Sequence, residues 1–145
     1  MQKVFIILLL SLVELFSFEL VVIGDKNFPE SNLTRSEIKA IFLDKKRFIN
    51  DKKILVMNHK VNHYVRLCFE KTVLEKQARS LERYWRKAYY QGKHPPKIVS
   101  STNMLLLYLD SITPAIGYSD INDINTTVDK EVSILYRSEC ETEDD

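Results

Sequence analysis

The chain has 145 residues, 45% hydrophobic and 28% charged, which fits one ordinary globular domain without repeats or a low-complexity linker. Its net charge of +1 hides an asymmetry, because residues 35–97 hold 17 Lys or Arg against 6 Asp or Glu, and residues 110–145 hold 2 against 10. The middle of the chain therefore carries a net charge of +11. Such a segment can form a positive surface that attracts anions, anionic lipid or nucleic acid. Alternatively, its cations lie on solvated helix faces and the acidic end folds back to neutralise them.

Residues 1–18 are predicted to be a secretory signal peptide. Lys3 precedes an apolar run over residues 4–13, and small residues follow near a cleavage point at Ser17 or Phe18. The run is short for a membrane-spanning helix, and Glu14 weakens the alternative of an uncleaved anchor. Cleavage would leave about 127 residues (145 − 18), enough for a modest core.

The first predicted strand is the apolar segment FELVVIG, residues 18–24. A helix is predicted next, because Thr34 and Glu37 have the spacing of a capping box. The apolar stripe of that helix is Ile38, Ile41 and Phe42.

Residues 54–57 are predicted to form a second strand, followed by a second helix. The apolar side of the second helix has spacings of three and four: Val65, Cys68, Phe69 and Thr72. The longest helix is predicted over residues 76–91, with Gly92 as its stop. The residues expected to be buried in it are Ala78, Leu81, Trp85 and Ala88.

The remaining pattern predicts a strand in KIVSS, a helix in STNMLLLYLDSI, a strand or turn in AIGYSD and a last strand in VSILYR. Strands alternating with helices indicate an α/β sandwich with a mainly parallel sheet. Residues 138–145, SECETEDD, are predicted to be a disordered acidic tail.

The two cysteines, Cys68 and Cys140, could form a disulfide in an exported protein, but nothing in the sequence indicates that they do. The simpler interpretation places Cys68 in the core and leaves Cys140 as a free thiol in the tail. No CxxC motif or His/Cys cluster predicts a metal site.

Two strand-to-helix junctions are candidate ligand sites, because open α/β sheets bind ligands beyond the carboxyl ends of their strands. In residues 58–63, Asn62 is the predicted N-cap of the second helix, whose free N–H groups could hold an anion. Ser101 and Thr102, within SSTN at residues 100–103, offer hydroxyls at a second junction. Plain helix capping is the alternative at both places.

Three segments carry a family resemblance: LTRSEIKAIFLDKKRF (residues 33–48), RYWRKAYYQGKHPPK (83–97) and TPAIGYSD (113–120). In this order they resemble the phosphate ABC transporter substrate-binding proteins, above all the small single-lobe relatives. The resemblance implies a single three-layer lobe, one half of a type 2 periplasmic binding protein, over residues 19–137. It also implies secretion across the inner membrane into a bacterial periplasm, and a non-enzymatic role.

The family's phosphate-binding loop, of Ser-Gly-Thr type, aligns with NHKVNHYVR, residues 58–66. Its serine, glycine and threonine are replaced, and a bulky residue in place of glycine hinders close backbone approach to an oxyanion. Charge from Lys60, His63 and Arg66 could compensate. The ligand-binding residues expected from the alignment and the second junction are Asn58, Lys60, Asn62, His63, Tyr64, Ser101 and Thr102.

Two functions therefore stay open. The first is a solute-binding protein for a small oxyanion such as phosphate. The second is an interaction or sensory accessory module that has lost ligand binding and meets a transporter, a sensor, another envelope protein or a second copy through surfaces such as Tyr89, Tyr90 and the basic helices. His59 or His63 could serve as a general base, but no nucleophile, carboxylate pair or metal set accompanies them. No cofactor is expected, and the export signal argues against nucleic acid.

Overall fold

The computed structural model describes residues 16–125 and 131–142. The elements in chain order are β1 (Phe16–Asp25), α1 (Arg35–Phe42), β2 (Phe48–Ile49), β3 (Lys52–Lys53), β4 (Leu55–Asn58), α2 (Tyr64–Phe69), a π-helical turn (Glu70–Leu74), α3 (Ala78–Tyr89), β5 (Lys97–Ile98), α4 (Thr102–Ser111), β6 (Ala115–Asp120), α5 (Ile121–Asn125) and β7 (Val132–Thr142).

Five strands form the main sheet in the order β5-β4-β6-β1-β7, and β2 and β3 form a separate hairpin. Strand β4 is parallel to both β5 and β6, whereas β1 is antiparallel to both β6 and β7. The sheet is thus mixed, not mainly parallel as the alternation indicated. The difference arises because the first strand inserts between β6 and β7, a long-range pairing that local sequence patterns do not encode.

The middle of strand β1, residues 20–23, is apolar on both sides because it contacts a helical layer on each face of the sheet. Leu20 and Val22 pack on the side of α1, α2 and α3. Val21 and Ile23 pack with α4 on the other side. The α/β class and the three-layer lobe predicted from the sequence are therefore confirmed.

The helix starts follow the capping chemistry of the sequence, with one exception. Thr34 and Glu37 form the predicted capping box at α1. At α2, however, the N-cap is His63, whose ring nitrogen accepts from the Val65 N–H, and the prediction of Asn62 was wrong. Asn62 instead has a positive φ of 69° in the turn closed by the hydrogen bond from His63 N to Lys60 O, a conformation that asparagine tolerates well.

Helix α3 buries Leu81 and Ala88, and Trp85 packs partly buried against the core, as predicted. The prediction of a buried Ala78 was wrong, since this first residue of the helix is exposed. After the end of α3, Gly92 adopts a φ of 74°, a conformation that glycine allows without steric cost.

The first and last strands of the main sheet extend beyond the domain predicted over residues 19–137. Strand β1 begins at Phe16, ahead of residue 19, and the core side chain Phe18 pairs with Cys140. Strand β7 continues to Thr142, so residues 138–142 are not a disordered tail, because β1 supplies them with hydrogen-bond partners. Residues 143–145 and most of the predicted signal peptide lie outside the described residues. Within residues 16–125 and 131–142, no helix is long and apolar enough to cross a membrane.

Cys68 of α2 and Cys140 of β7 form a disulfide with a Cα–Cα distance of 6.0 Å. This corrects the interpretation of a free thiol at Cys140. The free thiol was expected because Cys140 was assigned to a disordered tail. Strand β7 extends through Cys140 instead, and the side chain of Cys140 faces the helical layer that contains Cys68. The bond ties the helix after β4 to the far edge of the sheet.

Candidate functional site

The parallel strands β4, β5 and β6 end at the same edge of the sheet, called here the carboxyl edge. Asn58 ends β4 and Asp120 ends β6. The segment after β5 is held beside β4 by the hydrogen bond from Val99 N to Asn58 O, at 2.9 Å. The loop before α2 and the loop before α4 therefore leave neighbouring strands at one edge, as the sequence analysis required.

A buried hydrogen-bond network connects the ends of β4 and β6. The fully buried Tyr118 donates its hydroxyl proton to Oδ1 of Asn58, and the same hydroxyl accepts from the His59 N–H at 3.4 Å. Nε2 of His59 lies 2.8 Å from the Tyr118 carbonyl oxygen. A carbonyl can only accept, so Nε2 of His59 carries the proton in this contact. The ring of Phe69 stacks on Tyr118 at 3.9 Å and fixes its place.

Three aromatic rings stack along the loop from β4 into α2. The rings of His59 and His63 lie 4.4 Å apart and 13° from parallel, and those of His63 and Tyr64 lie 5.0 Å apart. Phe18 meets Tyr64 edge-on at 5.1 Å. Since Nδ1 of His63 accepts the Val65 N–H, its neutral ring carries the proton on Nε2. The stack thus fills part of the connection between the end of β4 and the start of α2.

Burial lowers the pKa of both histidines. For His59, burial opposes protonation more than the Tyr118 carbonyl favours it, and the nearby His63 lowers the pKa further. For His63, burial again lowers the pKa, with partial compensation from Asp123. Both rings are therefore neutral at pH 7. His63 can offer an anion its Nε2–H, whereas the N–H of His59 already donates to the Tyr118 carbonyl oxygen.

The positive charge of Arg66 is engaged within the protein. Its Nε donates to Oε1 of Glu70 at 2.7 Å, and its Nη1 donates to the carbonyl oxygen of His59 at 2.9 Å. Lys60, by contrast, is exposed on the turn before α2. Of the three charges considered from the sequence, Lys60 thus remains the one presented to solvent.

Two carboxylates bring negative charge to the β6 side of the carboxyl edge. The hydroxyl of Tyr64 donates to Asp120 at 2.9 Å and lies 3.4 Å from Asp123. Burial and the hydrogen bond to Asp120 raise the pKa of Tyr64, so its hydroxyl stays protonated and donates. Asp120 also accepts the Asn122 N–H at the start of α5. An anion at this edge would therefore meet less repulsion on the side of β5.

On that side, Ser101 is the N-cap of the ten-residue helix α4, with Oγ accepting from Met104 N at 3.1 Å. Thr102 is the first helical residue and is half-buried. The junction was predicted from the sequence. Its serine performs ordinary capping at the start of α4.

The structure joins Asn58, His63 and Tyr64 through the network and the ring stack, and it places Lys60 and Asn62 on the turn above them. Ser101 and Thr102 lie one strand away. Sequence reasoning missed Tyr118 and Asp120 as parts of the edge. A signal was present in AIGYSD, where polar residues end an otherwise buried strand.

No group of three or more His, Cys, Asp or Glu side chains that could hold a metal ion occurs in the described part of the chain. The paired rings of His59 and His63 already have hydrogen-bond partners in Tyr118 and Val65. The chemistry that the edge offers is therefore hydrogen bonding by neutral donors, with one exposed ammonium group.

No protein-family model matches the chain, and no curated protein matches it in sequence. Solved structures do match. They include an ABC-type phosphate transport receptor from Vibrio cholerae (20% identity, TM-score 0.61), covering 83% of this chain and 48% of that one. A putative phosphate ABC transporter substrate-binding protein with bound phosphate from Clostridium perfringens (22%, TM-score 0.64) covers 82% and 44%. PstS from Borrelia burgdorferi (16%, TM-score 0.65) covers 83% and 47%.

The chain has the fold of one lobe of these receptors. It spans less than half the length of each solved structure named above. The resemblance noted in the three sequence segments is thereby confirmed for the fold. Among these proteins, the one from Vibrio cholerae is a phosphate transport receptor, and the structure from Clostridium perfringens contains bound phosphate.

Proposed function

We propose that this protein is an extracytoplasmic solute-binding module that receives a small oxyanion such as phosphate at the carboxyl edge of its sheet. The observation that carries the proposal is the shared fold, since one of the similar structures contains bound phosphate. The edge lies where open α/β sheets bind their ligands. Non-enzymatic binding also agrees with His59 and His63, whose hydrogen bonds in the described structure run to backbone groups of Tyr118 and Val65.

The groups proposed to contact the anion lie on the loop before α2 and at the start of α4. Lys60 supplies an exposed positive charge, and Nε2–H of neutral His63 supplies a donor. The hydroxyl of Thr102 and the first N–H groups of α4 face the anion from the neighbouring strand. Asn58 and Tyr64 hold the ring stack in place, and the turn at Asn62 presents Lys60.

A single lobe leaves such an anion open to water on one side. Ligand pockets generally enclose most of the ligand surface, so we expect weak binding by this lobe alone. A second copy or an envelope protein, such as a transporter or a sensor, would have to cover the edge to produce tight binding.

The Cys68–Cys140 disulfide supports a location outside the cytosol, since structural disulfides persist in oxidising compartments such as the bacterial periplasm. It agrees with the signal peptide predicted for residues 1–18. The periplasm is the compartment that this proposal assigns.

A second candidate is an interaction module whose edge no longer binds a solute. One observation favours it: Asn58, His59, His63 and Tyr64 bond or stack with one another and with Tyr118 and Asp120. Several of their polar atoms, among them Asn58 Oδ1, His59 Nε2 and the Tyr64 hydroxyl, thus have partners within the protein. The same lobe would then meet a protein partner through its surface.

Thermal unfolding in a phosphate-free buffer distinguishes the two. Phosphate, sulfate and a carboxylate are added at matched ionic strength, and a ligand present at 100 times its Kd adds about 2.7 kcal/mol to the free energy of unfolding. We expect stabilisation by phosphate that Lys60→Ala and Thr102→Val each reduce. Lys71→Ala, a change of an exposed lysine on the π-helical turn, is the matched control. Absence of stabilisation at millimolar concentrations of every anion would favour the interaction module.

A further inference from the structure

Helix α3 carries a concentrated positive charge on its exposed side. Arg79, Arg83, Arg86 and Lys87 are all exposed, and the one acidic residue among the twelve of this helix is Glu82. Glu82 forms an ion pair with Arg86 at 3.3 Å. The helix thus keeps three positive charges beyond that pair, more than the carboxyl edge presents.

The cations lie along one side of the helix because their spacings are three and four residues. Together with the following Tyr90, the row covers the twelve residues 79–90, a length of about 16 Å at the rise of an α-helix. Leu81 and Ala88 hold the opposite side in the core. The exposed side includes an open groove of about 460 Å³ lined by Arg83, Tyr84, Arg86, Lys87 and Tyr90.

Aromatic side chains accompany the charges. The side chains of Tyr89 and Tyr90 at the end of the helix are 69% and 86% exposed, and their rings meet edge-on. The ammonium groups of Lys76 and Lys45 lie 5.8 and 6.0 Å from the centroid of the Tyr84 ring. Tyrosine has an apolar ring with a polar tip, a combination enriched at the boundary between water and lipid.

The tyrosine end of α3 lies away from the carboxyl edge. The carbonyl oxygen of Gly92, just after the tyrosines, accepts from Nη2 of Arg47 at 2.9 Å. The carbonyl oxygen of Arg47 in turn accepts from Ile54 N, immediately before β4. Since Asn58 is at the other end of β4, contacts made by Tyr89 and Tyr90 leave the carboxyl edge free.

We propose that this basic face, defined as Arg79, Arg83, Arg86, Lys87, Tyr89 and Tyr90, docks the protein on an anionic phospholipid surface. The occupant is inferred from charge complementarity. The cations are spread over about two helical turns, which suits a layer of phosphodiester headgroups better than a single anionic group. The apolar side of α3 remains in the protein core. Docking is therefore peripheral, through headgroup contacts and the two tyrosines.

The test is sedimentation of the full chain with vesicles of phosphatidylglycerol and phosphatidylcholine, compared with phosphatidylcholine alone. Each basic residue near an anionic surface contributes about fivefold to partitioning, since about 1 kcal/mol corresponds to that factor. Arg83→Gln with Lys87→Gln should therefore weaken partitioning about 25-fold. Raising NaCl from about 0.1 to 1 M shortens the Debye length from about 10 to 3 Å and should release the wild-type protein.

Two matched variants make the result specific. Lys71→Gln with Arg137→Gln removes the same charge from exposed positions on the π-helical turn and on β7, and it should leave partitioning nearly unchanged. Tyr89→Ser with Tyr90→Ser should weaken partitioning while keeping its salt dependence. All variants share the same N-terminal segment, so differences between them report on the basic face.

Three outcomes would overturn the proposal. The first is the absence of sedimentation with anionic vesicles. The second is an equal loss in the Lys71/Arg137 variant, which would indicate general attraction of charge. The third is retention of the protein by soluble polyglutamate without binding to vesicles, which would assign the basic face to an acidic polypeptide.

Discussion

The carboxyl edge of the sheet and the basic face of α3 are organised in opposite ways. At the edge, polar side chains are buried and bonded to one another, and the histidines are neutral. On α3, cations and tyrosines stand in solvent on the surface of a well-packed helix. The comparison teaches that the positive charge of the chain does not mark the site predicted from the loop motif. The free energy of unfolding should therefore depend on the carboxyl edge, and the long-range attraction of an anionic surface should depend on the basic face of α3.

The largest effect on stability is expected from the Cys68–Cys140 disulfide, which ties α2 to β7. Cys68→Ala with Cys140→Ala should lower the free energy of unfolding by about 4 kcal/mol, because the bond closes a loop over 72 positions of sequence separation. Urea unfolding measures the loss. The basic face makes no use of this bond, so vesicle binding by the folded variant should persist.

Reductant provides the control for this prediction. It should lower the stability of the wild-type protein toward that of the double variant and leave the variant unchanged. An unchanged wild-type midpoint after complete reduction, measured by thiol titration, would contradict the role given to the bond.

The second effect concerns the buried hydroxyl of Tyr118. Tyr118→Phe leaves Asn58 Oδ1 and the His59 N–H without their partner, at a cost of about 1–3 kcal/mol for buried polar groups. Urea unfolding with Tyr90→Phe as control separates the two regions, because Tyr90 is 86% exposed and should tolerate the change. Equal stability of the two variants would show that the network does not stabilise the edge.

The disulfide and the Tyr118 network were not predicted from the sequence, whereas several other features were. The strands, the capping box at Thr34 and the doubly apolar β1 follow from local chemistry. The β2–β3 hairpin was missed although its turn residues, Asn50 and Asp51, both have the positive φ that such pairs adopt. That signal was readable from Asn-Asp between short β-like segments.

The remaining misses depend on tertiary contacts. Insertion of β1 beside β7 decides that Cys140 faces Cys68, and the two cysteines are too far apart in sequence for spacing to reveal their pairing. His63 became the N-cap because its ring also stacks on His59, a contact that the isolated loop does not specify. The two strand-to-helix junctions were predicted from the sequence, whereas the neutral histidines and the internal hydrogen bonds of the carboxyl edge depend on the fold.

The third effect is the pH dependence of the edge. Burial lowers the pKa of His59 below its ordinary value of about 6.5, so the unfolded chain binds a proton more readily than the native protein. The full contribution of neutral His59 is present above about pH 6.5 and is lost as pH falls below it, by at most about 1.4 kcal/mol per pH unit.

Urea unfolding at pH 7.5 and 5.5 measures this slope. His59→Gln should flatten it, whereas His94→Gln, at an exposed histidine outside the network, should preserve it. Identical slopes in the wild-type protein and His59→Gln would remove His59 as the source of the pH dependence.

The smallest effect on stability is expected at the basic face, and it completes the comparison. Arg83→Gln with Lys87→Gln should change the free energy of unfolding by less than about 0.5 kcal/mol, because both side chains are exposed and the helix is held by Leu81 and Ala88. The same variant is expected to lose vesicle binding. A large loss of stability would mean that these cations support the fold, and the separation between a stabilising edge and an attracting surface would fail.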